Sequence, residues 1–136
     1  MIKYFVIFSV ILSALIMSVE AATWIEIDNK MYIDRDSIEY TKNYSGQNLA
    51  SFWIKDLNDG SKRFKELEVK YKKKVWYTMN KYMINCDAKE ILISDSIDYD
   101  LQRYPIKSYE FGTYSFSAIV PESYGEYFYQ IVCFAE

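Results

Sequence analysis

The two cysteines constrain this chain more than any other feature. Cys86 closes an apolar and aromatic run that begins near Val75, and Cys133 lies close to the end of the chain. A bond between them ties the C-terminal segment, Ser115 to Cys133, back to the middle of the chain, and the residues in between then fold as one unit. In an oxidising compartment a single even pair reads as a disulfide, whereas in a reducing one it reads as two free buried thiols. Closing a loop of this length is worth about 4 kcal/mol in the chain-entropy description, a large share of a small domain's stability. The chain has no histidine, so two cysteines alone cannot complete a tetrahedral zinc site without carboxylates. No metal and no cofactor are expected.

The N-terminus decides between the two readings of the cysteines. Lys3 is a minimal positive segment, Tyr4 to Met17 is apolar, and Ser18-Val19-Glu20-Ala21-Ala22 supplies small residues where a signal peptidase cuts. Val19-x-Ala21 fits cleavage before Ala22. The apolar run is short against the roughly 20 residues that cross a bilayer, which disfavours a membrane anchor. Residues 1–21 are therefore expected to be a signal peptide and residues 22–136 one mature domain, with enough chain for a single modest core. No cysteine lies near the cut, so a diacylglycerol anchor has no atom to attach to. The expected product is exported to the periplasm, the cell surface or the medium, carries no lipid and keeps no membrane span after cleavage. Its cysteines are expected to form the disulfide Cys86–Cys133.

Charge is unevenly distributed. The chain carries a net −3, yet Lys62 to Lys74 contains seven basic residues and only Glu66 and Glu68 against them. Such a dipole suits a polyanion or an acidic protein surface. The candidate binding residues are Lys70, Tyr71, Lys72, Lys73 and Lys74. The plainer alternative is a solvated face, or lysines that keep a sheet edge from pairing with another chain. Phe64 and Tyr71 interleave the basic residues as in single-strand nucleic-acid binders, but an exported acidic protein is not expected to meet nucleic acid. The 14 tyrosines are equally two-sided: they cover sheets cheaply and also serve as protein-binding anchors.

The chain is rich in Tyr, Ile, Phe and Trp, residues that suit a pleated, half-buried surface. Trp24-Ile25-Glu26-Ile27 alternates, meets Asp28-Asn29-Lys30 and resumes at Met31-Tyr32-Ile33, the outline of a hairpin. Asp36 to Tyr40 reads as a brief strand or a turn, and Tyr44 to Gln47 as loop. Leu49 to Ile54 reads as a strand with Ala50, Phe52 and Ile54 on one face and Leu49, Ser51 and Trp53 on the other. Asp56 to Gly60 holds an Asp-Gly pair, a hairpin signal. Lys62 to Lys74 is open to a helical reading, because Lys and Glu favour helices; Leu67, Val69 and Tyr71 at spacing two favour strand or extended chain. Val75 to Cys86, Glu90 to Ile93, and Tyr109 to Val120 with a break near Gly112 complete the strands. Pro121 and Glu122 suit a helix start, and Tyr124, Phe128, Ile131, Val132 and Ala135 form a helical stripe. On that helix Cys133 points away from Tyr124, so both flanks are covered or the helix stops before Cys133. The expected fold is α+β: an antiparallel sheet of five or six strands with a C-terminal helix packed on it and tied by one disulfide.

The absence of histidine excludes Ser-His-Asp and Cys-His nucleophiles. Paired carboxylates could still run a glycosidase. Asp95, Asp98 and Asp100 are the densest acidic cluster, but they lack the EF-hand's spacing, glycine and terminal glutamate, and they read as a solvated turn. No Gly-rich phosphate loop is present. The sequence points away from an enzyme. Asn43-Tyr44-Ser45 is a glycosylation sequon, relevant only in a eukaryotic source.

A family resemblance enters through Trp24 at the head of the mature chain, the strand Phe52-Trp53-Ile54-Lys55, the strand end Ile84-Asn85-Cys86, and the closing Ile119-Val120-Pro121-Glu122-Ser123…Ile131-Val132-Cys133. Together these resemble the bacterial surface-adhesin protein E family, small exported domains, over most of the mature chain. The resemblance implies an antiparallel sheet with a helix held on it by the Cys86–Cys133 bond. It also implies adhesion to host extracellular-matrix or serum proteins. The expected function is an exported, non-enzymatic protein-binding module. The alternatives are a periplasmic structural or enzyme-inhibitor protein and, behind both, a carboxylate-dependent enzyme.

Overall fold

A computed structural model describes residues 23–112 and 115–134. The expected signal peptide, residues 1–21, and Ala135 of the C-terminal stripe lie outside the described residues. In chain order the elements are β1 (Trp24–Asp28), β2 (Met31–Asp34), a 3-10 turn (Arg35–Ser37), β3 (Glu39–Lys42), β4 (Asn48–Leu57), α1 (Lys62–Tyr71), β5 (Val75–Asn85), β6 (Glu90–Asp100), β7 (Pro105–Glu110), β8 (Ser117–Ala118) and α2 (Tyr124–Cys133). The strands form one sheet in the order β1-β2-β4-β5-β6-β7. Every pairing is antiparallel. Among the described residues eight strands stand where five or six were expected, because both long edges are split. β2 and β3 share one edge of β4, while β7 and β8 share one edge of β6.

Residues opposite one another in neighbouring strands share a face, so the register assigns the two sides of the sheet. Ala50, Ile84 and Ile91 form one row of the first face. Phe52, Tyr82 and Ile93 form the next, then Ile54, Asn80 and Ser96, then Asp56, Thr78 and Asp98. The apolar rows lie under α2. Phe128 packs edge-on to Phe52 at 5.7 Å and tilted against Tyr82 at 5.3 Å. Ile33, Ala50, Phe52, Ile54, Ile84, Ile119, Phe128 and Val132 make one buried cluster. The alternation of Ala50, Phe52 and Ile54 in the sequence is thus the core face of β4.

The face of α2 is rotated from the expected stripe. Phe128 and Val132 are buried, but Tyr124 is half exposed. Gly125 faces the sheet instead, where a Cβ would meet Ile91 and Ile119 in ordinary contact. At about 100° per residue, the centre of the buried face runs through Phe128 and Val132, with Tyr124 on one flank and Cys133 on the other. Tyr124 donates to Asp28 on β1, and Cys133 bonds Cys86 just beyond β5. The conflict between the stripe and Cys133 therefore disappears: the helix keeps both flanks tied and ends at the disulfide. Ser123 caps its start, accepting from the Glu126 amide, while Glu126 accepts from the Glu122 amide.

Two expectations fail in the middle of the chain. Lys62–Tyr71 is a helix, not extended chain, and the Asp59-Gly60 pair leads into it instead of closing a two-residue hairpin. Gly60 takes a left-handed φ of 77°, Asp59 accepts from the Ser61 amide, and Ser61 occupies the N-cap position. Spacing two suggested a strand because Leu67 and Tyr71 are both partly covered, yet Val69 between them is 78 % exposed. Asp98 and Asp100 also depart from expectation. They belong to the long strand β6 and are each only 3 % exposed.

Candidate functional site

Helix α1 covers the polar end of the face that α2 covers elsewhere. Phe64 is its one fully buried side chain; the remaining anchors are polar. The Arg63 guanidinium reaches Asp56 at 3.4 Å and Thr78 at 3.3 Å. The Tyr71 hydroxyl donates to Asp98 at 2.6 Å, Thr78 donates to the other Asp98 oxygen at 2.6 Å, and Tyr71 meets Tyr109 of β7 at 2.9 Å. Burial, reinforced by the Asp98 carboxylate, holds the Tyr71 phenol well above its ordinary pKa. Tyr109 is shifted the other way, chiefly by its hydrogen bond with Tyr71 and secondly by the one from Lys70.

This anchoring distributes the five candidate binding residues unevenly. Tyr71 points inward and is committed to Asp98. Lys70 donates to Tyr109 at 3.2 Å. Lys73 pairs with Asp100 at 3.0 Å, and Lys74 lies 3.9 Å from Glu68. Lys72 is the left-handed residue that ends the helix, with φ 54°. The outer surface of α1 is formed instead by Lys62, Lys65, Glu66, Val69 and Lys70, and it continues past Val69 to Lys72, Lys73 and Lys74. Lys65 and Lys62 join the surface that the sequence assigned to 70–74. The helical step places them there, so the strand reading of this segment concealed them.

The carboxylates under α1 are bound up in the fold. Both Asp98 oxygens accept hydroxyl hydrogen bonds. Asp100 accepts from the Gln102 and Tyr104 amides and from Lys73, and those bonds, the Tyr104 amide first, hold its carboxyl below the ordinary range. Among the described residues no group of three or more His, Cys, Asp and Glu side chains could hold a metal ion.

The other face of the sheet carries neither helix. Its rows include Ser51, Met83 and Leu92, then Lys55, Met79 and Ile97, then Leu57, Tyr77 and Tyr99. At the end near β1 this face opens into a cleft of about 290 Å³ lined by Trp24, Tyr32, Lys55, Leu57 and Trp76. Tyr32 lies opposite Lys55 in the β2–β4 register. The Lys55 ammonium sits 4.4 Å from the Tyr77 ring centre, 5.4 Å from Trp24 and 5.9 Å from Trp76. Arg103, from the β6–β7 turn, lies 5.2 Å from the Trp76 ring centre. Burial lowers the pKa of Lys55, and the Arg103 charge lowers it further. This constellation is not legible in the sequence, because its members are far apart in the chain and are gathered by the strand register and the β6–β7 turn.

The described helices include none long and apolar enough to cross a membrane. Comparison with protein-family models, with curated proteins and with solved structures finds no match.

Proposed function

We propose that this chain is an exported, non-enzymatic binding protein that holds an acidic surface of another protein against the outer face of α1. The observation that carries this reading is Val69, 78 % exposed on the helix and bordered by Lys62, Lys65, Glu66 and Lys70 on one side and by Glu68, Lys72, Lys73 and Lys74 on the other, six cations to two anions. An apolar side chain within a cationic rim matches the anatomy of a protein interface, in which a desolvated centre supplies affinity and peripheral charge steers encounter. The resemblance to surface-adhesin protein E domains makes host extracellular-matrix or serum proteins the partner class. The engagement of Asp98 and Asp100 in holding α1 and the β6–β7 turn supports a structural role for the acidic cluster over a catalytic one.

The test is binding of the purified exported protein to immobilised matrix and serum proteins at low and moderate salt. Affinity should fall as salt screens the exposed charges over about 10 Å. The triple variant Lys62→Glu, Lys65→Glu, Lys72→Glu leaves the Asp98, Asp100 and Tyr109 contacts intact, and it should weaken binding by about tenfold or more. Unchanged affinity in that variant overturns the assignment of the surface.

A further inference from the structure

We propose that the cleft of Trp24, Tyr32, Lys55, Leu57 and Trp76, with Arg103 at its side, binds an acidic sugar residue of the hexuronate type. The cleft opens on the sheet face opposite α1 and is a second site, with its own ligand class. Its charges are unusual. Among the described residues, neither Lys55 nor Arg103 has an ion-pair partner. No side chain among them accepts a hydrogen bond from Lys55. Both charges thus lie against the Trp76 ring, Lys55 at 5.9 Å and Arg103 at 5.2 Å from its centre, and neither is paired with a carboxylate among the described residues.

The fold keeps that arrangement in place. Lys55 is fixed by pairing of its strand on both sides, with Tyr32 of β2 and Met79 of β5. Arg103 has a left-handed φ of 66°, a conformation that costs a non-glycine residue strain. The turn holds it there: Asp100 accepts from the Gln102 and Tyr104 amides, and the Arg103 amide donates to the Asp100 carbonyl at 3.1 Å. A buried carboxylate on one side of the sheet therefore positions a guanidinium on the other.

The ligand class follows from the lining. A carboxylate placed between Lys55 and Arg103 gains charge-assisted hydrogen bonds from both and relieves their mutual repulsion. The flat rings of Trp24 and Trp76 offer apolar platforms, which match the C–H face of a pyranose. The Tyr32 hydroxyl, which donates to the Asn29 carbonyl at 3.3 Å, is available as an acceptor for a sugar hydroxyl. The volume of about 290 Å³ accommodates one or two sugar rings. A neutral sugar leaves the two cations uncompensated. An acidic peptide leaves the tryptophan platforms without a flat partner and brings backbone amides that need hydrogen bonds of their own.

The chain has three tryptophans, so Trp53→Phe leaves Trp24 and Trp76, both in the cleft, as the fluorescent reporters. In that background, tetragalacturonate should change the tryptophan emission saturably. Cellotetraose and a polyglutamate peptide of equal charge should bind about tenfold more weakly or worse, the loss expected when charge-assisted bonds go unmade. Arg103→Gln, at an exposed turn, and Lys55→Met should each weaken tetragalacturonate by about tenfold or more, while the triple lysine variant of α1 should bind it unchanged. The proposal is overturned by polyglutamate or cellotetraose binding as tightly as tetragalacturonate. It is equally overturned by unchanged affinity in Arg103→Gln, or by loss of sugar binding in the α1 variant alone. Thermal melts confirming that each variant is folded keep these outcomes decisive.

Discussion

Breaking the Cys86–Cys133 bond should cost about 4 kcal/mol and leave a protein that still folds in one step. The cysteines are 47 residues apart, and the chain-entropy relation for a closed loop of that length gives about 4 kcal/mol at 25 °C. Domains of this size have total stabilities of roughly 5–15 kcal/mol, so the loss is large without being complete. At about 4 °C per kcal/mol for a domain near 110 residues, the melting temperature should fall by roughly 15 °C. Guanidinium unfolding followed by tryptophan fluorescence, with and without reductant, measures the same loss as a midpoint shift of about 1 M. Cys86→Ala with Cys133→Ala should reproduce the reduced protein. The transition should stay single, because α2 has no core of its own: Phe128 and Val132 belong to the cluster that includes Phe52 and Ile84. Melting temperatures within about 3 °C of each other would refute the reasoning about the staple. A separate early transition for α2 would refute the shared core.

Three further outcomes follow from the packing. Phe128→Ala removes a ring that is 2 % exposed between Phe52 and Tyr82, and should cost about 3–5 kcal/mol in denaturant unfolding. Tyr71→Phe deletes the hydroxyl that reaches Asp98 and Tyr109; it should cost about 1–3 kcal/mol and speed amide exchange in α1 more than in α2. The Asp100 carboxyl is held below its ordinary value of 3.8, so its contribution to stability is full above that pH and is lost as pH falls through the lower folded value. Asp100→Asn should therefore be less stable than the natural protein at neutral pH, with the gap narrowing in acid melts below about pH 4; a gap independent of pH refutes the assignment.

The parts of the fold legible in the sequence are those whose burial pattern is local. Ala50, Phe52 and Ile54 announce a strand with one buried face, and the two short strands around Asn29-Lys30 announce a hairpin, because each signal is contained in a few neighbouring residues. Helix α1 was obscured for a physical reason. It buries one phenylalanine and otherwise holds to the sheet by Arg63 and Tyr71, whose partners Asp56, Thr78, Asp98 and Tyr109 come from β4, β5, β6 and β7. A helix anchored by polar contacts leaves no apolar stripe to read. The same contacts turn Asp98 from a solvent-facing turn residue into a buried one. The cleft was hidden more deeply: Trp24, Tyr32, Lys55, Trp76 and Arg103 meet only through the register of β1, β2, β4 and β5 and the turn after β6.

The disulfide also decides how the protein bears load. Under tension applied between the N-terminal strand and the C-terminus, force entering at Cys133 passes through the sulfur atoms to Cys86, at the end of β5. The chain from 87 to 132, which contains β6, β7, β8 and α2, lies outside the force path. Only residues up to Cys86 can be drawn out, roughly 220 Å of chain at about 3.5 Å per residue. Reduction frees the looped segment and lengthens that reach by roughly 160 Å. In an oxidising environment the covalent loop acts as a strain limiter that keeps β6, β7, β8 and α2 out of the pull, while the core residues Ile33, Ala50, Phe52, Ile54 and Ile84, which precede Cys86, stay in it.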